Sequence, residues 1–427
     1  MKRAIALIIA FILCVSLCGT AFAKEDYSLI NDETFLLEAA RDVIEAYDDF
    51  YVIKDISVSD VHNNILDNGF TEITYFVDFV AILDFDNATE LPQIQGLLGA
   101  VGIDSEKYTT EELTAYINTD ELKNMCGMYI ENESANILSM SSMSVNTADF
   151  VEIKSEVVDF TIDEISEFVN EIETEYIGKT STFSVGLKVT IDNNFNVSDV
   201  SYAMYNGYSH DMSNIIPKSH DAMVRAGEKQ FKEILTKAIE KSGKRESDAS
   251  IDWNSSFVYY RTDARDYANT YTSNATESIC KTKSCSNYGG TIRQDTSKYN
   301  DDYTWYCCHD CANFVSQAMY AGNVPTSTTW SAGTSAWINC SSMKEYFINK
   351  TWWSTSSFEN CNAGGIIMLF DKYKNPYHVQ MNVMNNTITR AFSSHTNDYK
   401  ECAYSSTSVF GAYSVSYYTF DNVSPSH

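Results

Sequence analysis

Asp310-Cys311-Ala312-Asn313-Phe314-Val315-Ser316-Gln317 is the stretch on which the reading of this chain turns. Cys311, Phe314, Val315, Ala318 and Met319 fall at i, i+3, i+4, i+7 and i+8, which makes one apolar helical face. Asp310 suits an N-cap, and Gly322 stands where a left-handed C′ residue would stop the helix. The pattern predicts a helix with a cysteine on its first turn. A thiol there meets the positive end of the helix dipole and unpaired backbone N–H groups. Both favour thiolate over thiol, and the same N–H groups can receive an oxyanion. The competing reading is a core cysteine beside a structural aspartate.

A cysteine nucleophile needs a base, and after Ser250 the histidines are His309, His378, His395 and His427. His309 falls on the loop entering the Cys311 helix, and His427 ends the sequence. His378 opens a β-run, His378–Met384, just after Pro376, so it would be held on a rigid element. β-runs also stand at Gly365–Phe370 and Thr387–His395. A cysteine on a helix, followed by a histidine on a later sheet, is the order of a papain-like α+β fold.

The orienting third group is read from register. A two-residue turn at Asn385-Asn386 would pair Met384 with Thr387 and set His378 opposite Ser393. His395 then becomes a diagonal neighbour on the same face, at about 7–8 Å. Asn382 shares that face but lies about 13 Å along the strand, too far to reach the ring. Gln380, two residues away, stays open. The preferred third member is His395, and a slip of one residue would move it to the other face.

These residues carry a resemblance. Tyr259-Tyr260-Arg261 with Ala264, Tyr267-Ala268 and Tyr271 come first, then the Asp310–Gln317 stretch and Tyr320-Ala321-Gly322. Trp330, Ser335-Ala336-Trp337, His378-Val379 and His395-Thr396-Asn397-Asp398 follow. Together they resemble the family called "Putative amidase domain", found in secreted Gram-positive proteins and related to the NlpC/P60 and CHAP cysteine peptidase-like domains. The resemblance covers roughly residues 255–415. It implies Cys311 as nucleophile, His378 as base and His395 as third member. Gly365-Ile366 stands where the family usually has Gly-Asp, and Cys307-Cys308-His309 is peculiar to this chain.

Composition sets the surroundings. Lys2 and Arg3 precede an apolar run from Ala4 to Leu17, and Ala21-Phe22-Ala23 has the small-x-small form of a cleavage site. Residues 1–23 therefore read as a signal peptide, and the mature chain as secreted, extracellular or attached to the cell surface. No later segment reaches the ~18 apolar residues of a membrane span. Eight cysteines follow position 279: Cys280, Cys285, Cys307, Cys308, Cys311, Cys340, Cys361 and Cys402. In an oxidising compartment such a cluster predicts disulfides. Setting Cys311 aside leaves an odd number, so a further thiol stays free or pairs unusually.

The charge is segregated. Residues 24–250 hold 16 Lys and Arg against 44 Asp and Glu, while residues 251–427 hold 12 against 14. Neither half suits nucleic acid. Helical periodicity at Thr34–Phe50 and His220–Lys241, with β-runs at Phe70–Phe85 and Phe183–Tyr205, makes residues 24–241 an acidic α+β domain with no evident chemistry. Ser209-His210-Asp211 and Ser219-His220-Asp221 repeat without enough further ligands for a metal. The polar stretch within 242–254 reads as a linker, and 255–427 as the papain-like domain, its cysteine helix packed on an antiparallel sheet.

The expected activity is hydrolysis of a peptide or amide substrate through a thioester, with cell-wall peptides such as those of peptidoglycan suggested by resemblance and export. It requires no cofactor and no metal, and it leaves the oligomeric state open. Two alternatives come from other classes. One is a zinc-stabilised structural module using Cys280, Cys285, Cys307, Cys308, His309 and Cys311. The other is a catalytically inactive binding domain on the same scaffold.

Overall fold

The computed structural model describes residues 32–117, 119, 123–131, 147–203, 209–210, 216–247, 257–274, 292–405, 412–420 and 423–424. The signal peptide, Cys280, Cys285, residues 248–254 of the expected linker and His427 lie outside them. The chain is α+β, with helices around a large, mostly antiparallel sheet.

The predicted helix over Thr34–Phe50 is two helices, Glu33–Ala39 and Arg41–Asp48, broken at Ala40. Strands β1 (Tyr51–Ile65) and β2 (Thr71–Leu83) pair antiparallel. Long helices follow at Thr147–Glu175 and His220–Ser247, with β3 (Thr180–Ile191), β4 (Val197–Ala203) and β5 (Ser209–His210) between them. The His220 helix runs through residues 242–247, so the first part of the expected linker is helical.

The second half starts with β6 (Tyr259–Tyr260) and the helix Arg261–Thr270. The cysteine helix, Cys311–Ala321, comes next, then short helices at Ser335–Ile338 and Cys340–Asn349. The strands are β7 (Trp353–Ser356), β8 (Ile366–Phe370), β9 (Pro376–Asn385), β10 (Arg390–Ser394), β11 (Tyr399–Ala403), β12 (Ser414–Phe420) and β13 (Val423–Ser424). The Cys311 and Cys340 helices both pack on β9.

One sheet crosses both halves, in the order β1-β2-β3-β11-β10-β9-β8-β12-β7, with β4 and β5 extending from β3. The junction is a parallel pairing of β3 with β11, at Ser184 and Cys402. The acidic half continues the sheet and shares one apolar core with the second half. Ion pairs follow the same seam. Arg261 meets Glu171 at 2.8 Å, Arg265 meets Glu175 at 3.1 Å and Lys229 meets Glu359 at 3.0 Å.

Two local expectations need correction. Gly322 is not left-handed, with φ −73°. Asn323 at φ 72° takes that role, and the Val324 N–H closes on the Met319 carbonyl. Gly322 instead permits close approach, since a Cβ there would stand 2.5 Å from the Tyr259 ring. The β9–β10 turn is also longer than two residues. Met384 pairs with Ala391 and Met381 with Ser393, with a bulge between Ala391 and Phe392. Asn385 and Asn386 build this turn with their side chains, which accept the N–H groups of Thr387 and Thr389.

Tyr51 of the acidic half reaches that turn. Its hydroxyl donates to Thr389 Oγ1 at 2.8 Å and accepts from Asn386 Nδ2 at 2.8 Å, both buried. Tyr51→Phe should therefore cost about 1–3 kcal/mol, because two turn side chains lose a buried partner. Urea unfolding should show a lower midpoint at unchanged slope. An unchanged midpoint would mean that the acidic half does not brace the β9–β10 turn.

Candidate active site

Cys311 is the first residue of its helix and is buried, only 6% exposed. Asp310 does not cap that helix with its side chain. Its carboxylate turns away to accept from the Tyr306 N–H at 2.8 Å, Asn313 Nδ2 at 2.9 Å and the His395 ring at 2.7 Å. No side chain closes over the first turn, so the dipole's positive end faces the Cys311 sulfur.

His378 is the third residue of β9, where it pairs with Leu369 of β8. The Cys311 helix packs on β9, and His378 and Val379 lie close enough to that sulfur to lower its pKa. A second sulfur completes the group: Cys340 Sγ lies 3.7 Å from Cys311 Sγ, and both thiols are free. Cys340 is likewise the first residue of a helix, whose N-cap Asn339 accepts the Ser342 N–H.

The Cys311 thiol is held well below its ordinary range. The hydrogen bond with Cys340 contributes most; burial opposes it, and the His378 charge, the His378 hydrogen bond and the Val379 N–H add to the lowering. The Cys340 thiol is pushed up, chiefly by the same hydrogen bond and then by burial.

His395 is not brought to His378. Its Nδ1 is bonded to Asp310 at 2.7 Å, and its Nε2 donates to the Tyr271 carbonyl at 2.7 Å. The ring is stacked between Tyr299 and Phe314, with centroids 3.8 and 4.0 Å away. The expected diagonal contact fails for two reasons. The longer turn and the bulge shift the register by an odd number of residues, and β10 ends at Ser394 before reaching His378. His395 acts instead on the residue before the cysteine. On the His378 face of β9, Gln380 is buried and its side-chain oxygen has no hydrogen-bond partner.

Neighbouring polar groups are committed to structure. Asn313 donates to the Thr304 carbonyl and accepts from the Trp337 indole, and Gln317 accepts from the Tyr267 hydroxyl. Trp330 and Trp337 are fully buried core rather than cleft walls. Ile366, where the family has Asp, is also fully buried, paired with Met381 and Tyr418. A cavity of about 820 Å³ lies elsewhere, lined among others by Glu167, Lys232, Arg261 and Trp353. Neither Cys311 nor His378 lines it, so its size does not make it the reactive centre.

The cysteine expectations divide. Cys307 and Cys308 are disulfide-bonded, and with their own sulfurs 3.5 Å apart each pairs with another cysteine. Cys126, Cys311, Cys340, Cys361 and Cys402 are free and buried. Two sulfurs of the zinc alternative, Cys307 and Cys308, are therefore not available as thiolate ligands.

Cys340 had no reading from the sequence beyond disulfide pairing. Its signal was available: Asn339-Cys340 repeats the cap-then-cysteine pattern of Asp310-Cys311.

Residues 258–418 match the family model described as "Putative amidase domain". The match lies in the C-terminal part of the chain. Over 80 residues the chain is 36% identical to "Uncharacterized protein YjcM" of Bacillus subtilis (strain 168), covering 18% of this chain and 16% of that protein. The match thus spans about a sixth of the relative's length. No solved structure matches the chain. The family points to hydrolysis of amide bonds.

The Asp310–His395 pair supplies a prediction with a pH signature. Burial works against a charged His395 ring, but the Asp310 hydrogen bond, the charges of Asp398 and Asp310 and the Tyr271 carbonyl outweigh it and raise its pKa above 6.5. The stability this gives is complete below about pH 6.5 and fades as pH rises through the folded value. His395→Gln should cost about 1.5–3 kcal/mol at acid pH, where Asp310 keeps the Tyr306 and Asn313 donors but loses its charged partner, and less at alkaline pH. Denaturant midpoints across that range check it. A deficit equal at every pH would remove the ion-pair account.

Proposed function

We propose that this protein is a secreted cysteine amidase or peptidase of the papain-like kind, acting on an amide bond through a thioester. The observation that supports the reading is a buried Cys311 at an uncapped helix start, packed on the strand of His378 and near enough for that residue's charge to lower its pKa. In this mechanism the Cys311 thiolate attacks the amide carbon, and the Cys311 backbone N–H receives the developing oxyanion. His378 gives its proton to the leaving amine, and the amine departs to leave a thioester. His378 then takes a proton from water, which attacks the thioester and returns the free thiolate. Gln380 replaces His395 as candidate for orienting His378: it shares the strand face about 7 Å along and has an unmet acceptor.

The substrate class follows from export and the family resemblance. A chain carrying a signal-peptide pattern would work outside the membrane, where cell-wall peptides are the abundant amide polymer. The nearly neutral second half, with 12 basic and 14 acidic residues, leaves recognition to hydrogen bonding and packing more than to net charge.

The test is a digest of purified peptidoglycan and a panel of small amides, with products identified by mass spectrometry. Cys311→Ala should lose activity on the order of 10³-fold or more. His378→Ala should lose on the order of 10²–10⁴-fold. Full activity in Cys311→Ala ends the thiol mechanism. A protein that a thiol-reactive amide mimic labels at Cys311, yet that releases nothing from any substrate, would instead be a binding module.

A further inference from the structure

The second sulfur is unexplained by the amidase reading. Cys340 is buried, 6% exposed, at the N-terminus of its own helix, and its Sγ is 3.7 Å from the sulfur read as the nucleophile. Two helix starts therefore converge on one pair of sulfurs. His378 and Val379, on the strand the Cys311 helix packs against, both act to lower the Cys311 pKa, which makes its sulfur the acceptor in this group. Sulfur-to-sulfur contact at that distance can hold only one negative charge, and the remaining proton belongs on the partner with fewer donors around it. That partner is Cys340.

We propose that Cys340 is a catalytic residue of this site, its S–H donating to the Cys311 thiolate and holding that sulfur ready for attack. The proposal rests on Cys311 as nucleophile and adds a second thiol touching the reacting atom. A buried thiolate without donors is costly. Cys340 supplies a donor that adds no charge and can follow the sulfur as it moves onto the substrate carbon. Its bond to Cys311 weakens once the thioester forms, and it strengthens again as the thiolate is released.

The arrangement can be tested without knowing the substrate. Alkylation of Cys311 by iodoacetamide, read by peptide mapping, gives a rate against pH. Cys340→Ala should move the midpoint up by about one unit, slowing labelling ~10-fold on the acid side. Cys340→Ser keeps a donor and should stay within about threefold of the parent. On the unsubstituted protein, the azo oxidant diamide should take two electrons and two protons from the pair. One S–S bond forms, the azo compound becomes its hydrazine, and a Cys311–Cys340 peptide appears; a dithiol should reverse it.

An unshifted midpoint in both variants would overturn the proposal, even if amide hydrolysis were found. Failure to form the cross-linked peptide would overturn it too, because sulfurs 3.7 Å apart need little motion to reach the ~2.05 Å of a disulfide. A shifted midpoint with no hydrolysis of any amide would support the thiol pair while sinking the amidase reading.

Discussion

A carboxylate just before a helix ordinarily folds over the first N–H groups and closes them. Asp310 does not, and the site depends on that. Its oxygens are occupied by the Tyr306 N–H, the Asn313 amide and the His395 ring. His395 cannot swing away, since Tyr299 and Phe314 sandwich it and the Tyr271 carbonyl takes its second ring nitrogen. Asp398 extends the network by accepting from the Tyr299 hydroxyl and the Asp295 N–H, and burial pushes its carboxyl up to about 6. The loop, the helix start and the end of β10 are locked by one set of buried hydrogen bonds. What the lock leaves open is the dipole's positive end, directed at a sulfur.

The acidic half gains a physical role from the same geometry. β3 continues the sheet through β11, and the Tyr51 hydroxyl secures the turn between β9, the strand that carries His378, and β10. Basic residues of the second half meet the acidic helices at the seam, where Arg261 is buried against Glu171. Burial raises the Glu171 carboxyl pKa, while the Arg261 guanidinium pulls it back. Part of the first half's negative charge is therefore spent locally, across the joint. The excess of 44 acids over 16 bases is too large for these few pairs, so most of it faces solvent.

How much of this could be read from sequence depended on how local the signal was. The cysteine helix was legible because its apolar period and Asp310 lie within one stretch, and β8 to β10 because their runs are short and bounded. The third-member reading failed because register is a long-range quantity. It was set by Asn385 and Asn386 bonding their own turn, and by a bulge that no periodicity announces. The same limit hid the continuous sheet, since nothing in residues 180–191 states that they will pair with residues 399–403. Cys340 was hidden for a different reason. In a cysteine-rich sequence every sulfur invites a disulfide, and only coordinates separate a bridged thiol from a neighbouring one.

The protein contains its own control for the electrostatics of the pair. Cys126, Cys361 and Cys402 are buried thiols, and burial pushes each of them up to about 12. Cys311 is buried as well, yet it moves the opposite way. Burial therefore cannot be what activates it, and the difference must come from what surrounds the sulfur. Arg390 lies near Cys361 and Lys154 near Cys126, so a nearby cation alone does not reverse the penalty. Hydrogen-bond donors alone do not reverse it either, since Tyr202 and Gly186 act on Cys402 in that direction; what Cys311 has in addition is a second thiol 3.7 Å from its sulfur and the His378 charge nearby. Solvation by the protein's own donors takes the place of water at this sulfur. On the cysteine-nucleophile reading proposed above, a thiolate so held would be kept charged and dry, with its electrons available to a carbonyl carbon.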